Sequence, residues 1–360
     1  MITKLVYVLT SAPEKSYCEQ ALLSIYTARH HNPDAYIVLV TDNLTDKLFS
    51  GKRAEILEYI SEKIVVELPQ EMSMMERSRW LKTSVRNLIN GDLMFVDCDT
   101  LTTRSLREID DCPFELGAVP DSHLPVAKFN PALYEKVKKL GSQLDWDISK
   151  EDYYFSSGVI YAKDTEKNKE FFNKWHSYWF EGTKTGVSID QPSFAKSNIE
   201  CGHIIKGIDN GWNCVMYTHP LFDRDARILH FCSFRNMTYA FGESFLNKVR
   251  KEGVKDNEFI KYSILHPYET YIPFDNKIHN YSFGEYLKLI FTIRRTAKLI
   301  SKNLNADYED YIDSRKIERY VKQLFTKKLF TTGALLFVAY KAYKVRFSKK
   351  YKYFENTCSI

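Results

Sequence analysis

Residues 91–100 read GDLMFVDCDT and carry the strongest structural signal in the chain. The run from Leu93 to Val96 is apolar and follows an Asn-Gly pair, which is the pattern of a buried strand preceded by a turn. Asp97 and Asp99 come next, and side chains two residues apart on an extended chain point the same way. Neighbouring carboxylates repel each other unless a cation lies between them. Hard oxygen ligands suit Mg²⁺ or Mn²⁺, so this stretch predicts a divalent-metal site.

An Asp-x-Asp pair can also occur without a resident metal. Two solvated aspartates at the end of a strand are the simplest alternative, because such pairs recur by chance in surface loops. An aspartyl-phosphate hydrolase likewise places Asp-x-Asp after an apolar strand, and Asp97 would then be its nucleophile. That motif usually has Thr or Val two residues after the second Asp, where this chain has Leu101. On this stretch alone the alternatives stay open.

Strand and helix patterns alternate along the first half of the chain. Strands are predicted at residues 5–10, 35–41, 63–68 and 93–96, and a helix at residues 77–89. This alternation predicts an α/β fold with a doubly wound, mostly parallel sheet. Ligands of such sheets bind beyond the carboxyl ends of the strands, where Thr10, Asp42 and Asp97 fall. The 360 residues suffice for one such domain with an appendage.

Composition and the N-terminal sequence favour a cytoplasmic protein. The first residues form a short apolar run that turns polar at Ser11, without the long apolar core or cleavage site of a signal peptide. No stretch reaches the roughly 18 apolar residues that a membrane span needs. The 7 cysteines are scattered and form no Cys-x-x-Cys pair, which favours reduced thiols over a disulfide or zinc framework.

Further short segments follow the Asp-x-Asp stretch in order. They are Ala-Val-Pro-Asp at 118–121, Ser-Ser-Gly-Val at 156–159, Asp-Gln at 190–191 and His-Phe at 230–231. With these segments, residues 3–240 resemble the glycogenin-like, family-eight glycosyltransferases, a group that includes bacterial galactosyltransferases building lipooligosaccharide. The resemblance implies the GT-A nucleotide-diphospho-sugar transferase fold over residues 1–240. It also implies sugar transfer from a nucleotide sugar, a UDP-sugar, with retention of the anomeric configuration.

The resemblance implies a metal site made of Asp97, Asp99 and His230. Without it, His230 would be interpreted as a core histidine bonded to the backbone. An imidazole ligand beside two carboxylates favours Mn²⁺, with Mg²⁺ as the alternative cofactor. The metal would act as a Lewis acid on the departing nucleoside diphosphate.

The resemblance also places residues around the sugar donor. On the helix before the Asp97 strand, Lys82 is the expected catalytic cation, Arg79 binds the donor beside it, and Arg86 is expected in solvent. Asp190 and Gln191 match the catalytic pair facing the reacting carbon, and covalent and front-face mechanisms both stay open. The donor-binding positions match Thr10, Ser11, Tyr17, Arg79, Asp97, Asp121 and Ser156.

Two departures from the family pattern bear on the donor site. The family usually has Asn where this chain has Ser156, which leaves the donor sugar open. After the histidine, the family's Gly and Lys positions are occupied by Ser233 and Asn236, and Arg235 is a substitute cation one residue early. A sugar-nucleotide or glycan-binding protein without turnover is the non-enzyme alternative, but the complete set Asp97, Asp99 and His230 argues against it.

The C-terminal part, residues 241–360, is predicted to be a helical, basic and aromatic extension. Residues 283–360 carry 17 Lys and Arg against 7 Asp and Glu, whereas the rest of the chain is slightly acidic. An apolar helix face runs from Ile317 to Phe325 with basic residues around it, and a Lys- and Tyr-rich stretch follows from Lys341 to Lys352. This pattern suits the surface of an anionic membrane, or else helices packed on the domain. We expect peripheral attachment to the inner face of the cell membrane, a glycan or lipid-linked saccharide acceptor, and no nucleic-acid partner.

The basic extension leads to a first prediction. Full-length protein should sediment with vesicles that contain anionic lipid at low ionic strength and be released by salt, because the attraction is electrostatic and screened. A chain that ends at Asn305 should lose this binding. Vesicles of neutral lipid serve as the control. Full-length protein that ignores anionic vesicles at low salt would leave the extension a structural cap on the domain.

Overall fold

The computed structural model of the chain describes residues 1–215, 226–232 and 242–267. In chain order its strands are β1 (Lys4–Leu9), β2 (Ile37–Asp42), β3 (Glu62–Val66), β4 (Leu93–Val96), β5 (Thr100–Thr102), β6 (Leu116–Pro120), β7 (Phe155–Ala162), β8 (Lys206–Gly207), β9 (Cys214–Val215) and β10 (Ile228–His230). Its helices are α1 (Tyr17–His31), α2 (Asn43–Asp46), α3 (Met74–Thr83), α4 (Val85–Leu88), α5 (Pro131–Ser142), α6 (Glu166–Lys184), α7 (Gln191–Glu200), α8 (Glu243–Glu252) and α9 (Glu258–Leu265).

Seven strands form the main sheet in the order β3-β2-β1-β4-β7-β6-β8. The pairs on either side of β7 are antiparallel and the other pairs of this sheet are parallel, so β7 runs against its neighbours. The predicted fold class, an α/β fold with a doubly wound, mostly parallel sheet, is therefore confirmed. The reversal of β7 places its first residues at the same edge of the sheet as the carboxyl end of β4, beside Asp97.

Helices cover both faces of this sheet because alternate strand residues point to opposite sides. In β1, Leu5, Tyr7 and Leu9 contribute to the core that includes α1, whereas Val6 and Val8 contribute to the core that includes α3 and α6. The strands β1, β2 and β4 are buried on both faces, as parallel strands between two helical layers are expected to be. Within the described residues no helix is long and apolar enough to cross a bilayer.

A second, three-stranded sheet has the order β5-β10-β9, and of its strands only β5 directly follows β4 in the chain. β10 is antiparallel to β5, with His230 opposite Thr100, and parallel to β9, with His230 opposite Val215. Since β5 begins right after Asp99, this pairing carries the distant His230 to the end of β4. The small sheet is therefore the element that joins late residues to the Asp-x-Asp stretch.

The described part of the predicted C-terminal extension packs on the hydrophobic core that includes α1. Phe245, Leu246 and Val249 of α8 are buried there. Arg250 also reaches Glu19 on α1, with 3.0 Å between Nε and Oε1, and Arg53 approaches the same carboxylate at 2.7 Å. The boundary near residue 240 stays a prediction. The amphipathic and Lys-rich segments between residues 317 and 352 lie outside the described residues.

The helix predicted at residues 77–89 is instead two helices, because α3 ends at Thr83 and α4 begins at Val85. At the break, the imidazole Nδ1 of His176 lies 2.8 Å from Thr83 Oγ1 and 3.0 Å from Ser84 Oγ. His176, which belongs to α6, thus contacts two hydroxyls at the junction between α3 and α4.

The expectation that Arg86 lies in solvent is wrong. Arg86 is 1% exposed. Because the helix breaks after Thr83, Arg86 lies on α4 and not on α3, the helix that carries Arg79 and Lys82. Its Nη2 donates to the carbonyl oxygens of Ile89 and Gly91, the latter at 2.7 Å. Arg86 therefore anchors the turn that leads into β4, which is a structural role.

Arg86 gives the prediction of this subsection. Arg86→Ala should lower the free energy of unfolding by about 2 kcal/mol, since hydrogen bonds to charged groups contribute roughly 1.5–3 kcal/mol and the freed Ile89 carbonyl is buried. Urea denaturation followed by circular dichroism measures the change. Arg107→Ala is the matched control, because the Arg107 side chain is 63% exposed and its pairing with Asp34 is worth little. Equal midpoints for the two variants would contradict the anchoring role.

Candidate active site

Three side chains meet at the carboxyl end of β4. His230 Nε2 lies 3.2 Å from Asp99 Oδ1 and 3.8 Å from Asp97 Oδ2. One ligand atom from each of the three residues lies within 4.8 Å of the others. The structure thus brings together Asp97, Asp99 and His230, although the histidine comes far later in the chain than the two aspartates.

Local hydrogen bonds hold the two aspartates in this position. The Asp97 backbone N–H donates to the Gly158 carbonyl at 2.9 Å, and the Phe231 N–H donates to the Asp99 carbonyl at 2.9 Å. Between the aspartates, Cys98 points the other way, and its Sγ donates to the Val8 carbonyl at 3.2 Å. The alternation predicted from the sequence is therefore what turns both carboxylates to one side.

The residues at this position fit a divalent cation. Burial raises the pKa of Asp97 despite the opposing charges of Lys82 and His230, and the negative charges of Asp99 and Asp190 add to the rise. Burial acts in the same direction on Asp99, but the adjacent His230 holds the pKa of Asp99 below its ordinary value. Two carboxylates and an imidazole are a ligand set for Mn²⁺, and a cation between them would offset their repulsion.

Gly158 on β7 leaves the space in which the imidazole lies. A Cβ built on Gly158 would come within 2.3 Å of His230 Cε1, 2.7 Å of His230 Nδ1 and 3.1 Å of Asp97 Oδ2. Contacts this short cannot form, so any larger residue would displace the ring or the carboxylate. This glycine belongs to the Ser-Ser-Gly-Val segment of the sequence. A glycine is needed there because His230 and Asp97 occupy the space of a side chain.

A second group of charges lies next to the first, around Lys82 on α3. Its Nζ is 3.2 Å from Asp97 Oδ1 and 3.1 Å from Asp190 Oδ2, and the side chain is 4% exposed. Arg79 Nε lies 2.7 Å from Asp190 Oδ1. Ser157 Oγ donates to Asp190 Oδ2 at 2.7 Å. Lys82 therefore connects the predicted metal ligand Asp97 with the predicted catalytic Asp190.

These contacts fix the ionisation of the second group. Burial alone would raise the pKa of Asp190, but the charges of Arg79 and Lys82 and the Ser157 hydrogen bond hold that pKa far below its ordinary value. In turn, Asp190 raises the pKa of Arg79, and the nearby Asp97 contributes in the same direction. Asp190 is therefore a carboxylate, and Arg79 a cation, throughout the neutral pH range.

Gln191 and Asp121 form a pair on the other side of Asp190. The Gln191 Nε2 donates to Asp121 Oδ2 at 2.8 Å, and the Asp121 N–H donates to the Tyr154 carbonyl at 2.7 Å. Burial raises the pKa of Asp121, while the Gln191 hydrogen bond opposes that rise. Both residues stand at ends of regular elements, since Asp121 follows β6 and Gln191 begins α7.

The predicted nucleotide end lies after β1. Thr10 Oγ1 donates to the Met74 carbonyl at 3.1 Å, and the Ser11 N–H donates to Thr45 Oγ1 at 2.8 Å. Thr10 and Ser11 are both buried, while Tyr17 at the start of α1 is partly exposed. Because β1 is the parallel neighbour of β4, these residues share the sheet edge that carries the two aspartates.

Sequence reasoning missed Asn213, which contacts His230 of the candidate metal site. Its Oδ1 lies 2.8 Å from His230 Nδ1, and its Nδ2 donates to Ser156 Oγ at 3.0 Å. The hydroxyl of Ser156, a residue expected at the donor sugar, thus bonds to the asparagine that contacts His230. No local pattern marks Asn213, which ends a short 3₁₀ turn. Ser233, Arg235 and Asn236 lie outside the described residues.

Comparison with known proteins adds a weak structural likeness. No family model matches the chain, and no curated protein sequence matches it. Among solved structures, the galactosyltransferase LgtC in complex with donor and acceptor sugar analogues is 13% identical with a TM-score of 0.47, over 72% of this chain and 99% of that one. Mouse xyloside xylosyltransferase 1 is 10% identical with a TM-score of 0.44, over 64% and 98%. The glycosyltransferase GlyE of Streptococcus pneumoniae TIGR4 is 13% identical with a TM-score of 0.44, over 69% and 64%. Likenesses of this strength establish neither a family nor an activity, so the function depends on the side chains described above.

Proposed function

We propose that this protein is a metal-dependent glycosyltransferase of the glycogenin-like, family-eight type with a GT-A fold. It transfers a sugar from a nucleotide-diphosphate sugar, a UDP-sugar, to a glycan or lipid-linked acceptor and retains the anomeric configuration. The observation that carries this proposal is the meeting of the Asp97, Asp99 and His230 ligand atoms within 4.8 Å. Their position beyond the carboxyl ends of parallel strands is where α/β proteins bind nucleotides.

Asp97, Asp99 and His230 would hold the cation, Mn²⁺ or Mg²⁺. When bound, the metal supplies Lewis-acid stabilisation to the oxygens of the leaving diphosphate. Lys82 contributes a fixed positive charge beside Asp97, in a position that is 4% exposed. A cation held in such a dry site stabilises developing negative charge more strongly than it would in water.

Asp190 is suited to stabilise positive charge at the reacting carbon. Both of its oxygens are occupied, since Arg79 contacts Oδ1 while Ser157 and Lys82 contact Oδ2. Covalent attack by Asp190 and front-face departure of the diphosphate are both compatible with these contacts. Gln191 and Asp121 present an amide and a carboxylate next to it, and such groups can bind sugar hydroxyls.

The remaining parts of the proposal concern the acceptor and the place of action. The basic and aromatic residues between 283 and 360 support attachment of the protein to the cytoplasmic surface of an anionic membrane. A lipid-linked saccharide is then the acceptor class within reach. This part is independent of the metal site, because charge on the extension and ligands at β4 are separate features of the chain.

A panel of nucleotide sugars tests the function directly. The protein is incubated with Mn²⁺ and each sugar nucleotide, and release of the nucleoside diphosphate is measured with and without chelator. Metal-dependent release of UDP from one donor is expected. Release of inorganic phosphate from phosphate esters, with an acyl-phosphate on Asp97, would show the hydrolase instead. Donor binding without any release would indicate a binding protein.

Removing one carboxylate from the metal cluster should abolish turnover. Asp97→Asn or Asp99→Asn is expected to lower donor turnover by roughly 100-fold or more and to weaken Mn²⁺ binding, because a shared ligand is lost without opening a cavity. Circular dichroism should report an unchanged fold. The matched control is Asp111→Asn, an exposed aspartate away from the cluster. Wild-type turnover by either cluster variant in chelator-treated buffer would rule out the metal site.

Loss of Lys82, which contacts both Asp97 and Asp190, should impair the chemical step more than donor binding. Lys82→Ala is expected to lower kcat by about 100-fold, because the diphosphate charge grows in the transition state. KM for the donor should change much less. Lys138→Ala on the exposed face of α5 is the control for a lost lysine. A Lys82→Ala enzyme with full kcat and a raised KM would show that the lysine only binds the donor.

A further inference from the structure

We propose that Asn213 is a positioning residue that fixes the tautomer and the ring orientation of His230, so that Nε2 faces the two aspartates. This inference rests on the metal site of the proposed function and adds a residue to it. Asn213 is 0% exposed and lies on the side of the imidazole away from Asp97 and Asp99. It would act through His230 and would not touch the metal or the donor.

The hydrogen-bond chemistry of the pair determines where the imidazole proton lies. Asn213 Oδ1 is 2.8 Å from His230 Nδ1, and an amide oxygen can only accept. In this orientation of the amide, Nδ1 carries a hydrogen. In the neutral ring the lone pair is then on Nε2, the atom that lies 3.2 Å from Asp99. This is the tautomer that can coordinate a cation between the carboxylates.

On its other side, the amide of Asn213 contacts Ser156. Its Nδ2 donates to Ser156 Oγ at 3.0 Å, and the same oxygen accepts the Gly158 N–H at 3.3 Å. A reversed amide would place Nδ2 against the ring and force Nδ1 to accept. The neutral imidazole would then carry its hydrogen on Nε2 and have no lone pair for a cation. The two arrangements predict opposite tautomers.

Backbone contacts fix where Asn213 itself lies. It ends the 3₁₀ turn Asn210–Asn213, whose start is capped by Asp209, with the Gly211 N–H donating to Asp209 Oδ1 at 2.9 Å. The Arg227 N–H donates to the Gly211 carbonyl at 2.7 Å, which ties the turn to the beginning of β10. Asn213 directly precedes β9, and His230 ends β10, the strand that pairs with β9.

Gly158 completes the support by restricting the ring. A Cβ there would lie 2.3 Å from His230 Cε1, so β7 fits closely against the imidazole. With a close-packed strand on one side and an amide at Nδ1, the ring cannot rotate without losing a buried hydrogen bond. Partners that orient a metal-binding histidine in this way typically change metal affinity by about 10–100-fold when removed.

Two substitutions separate positioning from simple packing. Asn213→Leu keeps the branched shape but removes the acceptor, and should weaken Mn²⁺ binding, measured by the electron paramagnetic resonance signal of free Mn²⁺, by roughly 10–100-fold. Asn213→Asp keeps an acceptor for Nδ1–H and should retain the affinity of the wild type. Thermal unfolding of the metal-free variants checks that each has folded.

A second readout needs neither metal nor activity. Nitrogen-15 spectra of histidine-labelled, metal-free protein at alkaline pH report which ring nitrogen of His230 carries the proton, with His230→Gln used for assignment. A hydrogen on Nδ1 is expected in the wild type. A neutral imidazole whose hydrogen is on Nε2 overturns the proposal, even if Asn213→Leu fails to fold. Wild-type protein that binds no Mn²⁺ overturns the proposed metal site as well. Unchanged Mn²⁺ affinity in Asn213→Leu, beside a wild type that binds the metal, overturns the role of Asn213 alone.

Discussion

Charged groups that are shielded from water must be neutralised by neighbours, and this constraint organises the candidate active site. Asp97, Asp99 and Asp190 bring three negative charges to one edge of the sheet, and Lys82 and Arg79 bring two positive ones. A divalent cation and a diphosphate have nearly equal and opposite charges, so together they add almost no net charge to this group. The arrangement thus suits a ligand that arrives as a metal–diphosphate pair better than either component alone.

The reversal of β7 accounts for the convergence of so many polar residues on this edge. In an all-parallel sheet each strand delivers only its last residues to the ligand side. Because β7 runs the other way, its opening residues Ser156, Ser157 and Gly158 reach the same side as the end of β4. They then provide a hydroxyl for Asp190, a hydroxyl for Asn213 and the space for His230.

Local patterns revealed the sheet and the ligand pair, because both depend on residues close together in the sequence. Apolar runs in β1 and β4 predicted the buried strands, and the spacing of Asp97 and Asp99 predicted their common direction. The position of Arg86 could not be predicted this way, since a contact with His176 from a distant helix accompanies the break after Thr83. Asn213 left no signal either, because its role depends on the pairing of two short strands far from β4 in the sequence.

The ion pairs of Glu19 have a consequence for the order in which the chain folds. Arg53 and Arg250 both approach this buried carboxylate, and Arg250 stands 231 residues away from it. During synthesis at the ribosome, α1 is made long before α8, so its outer surface stays uncovered while most of the protein is translated. Contacts between such distant segments form late and slow the final step of folding. The α1 side of the sheet is therefore completed only after α8 has been made.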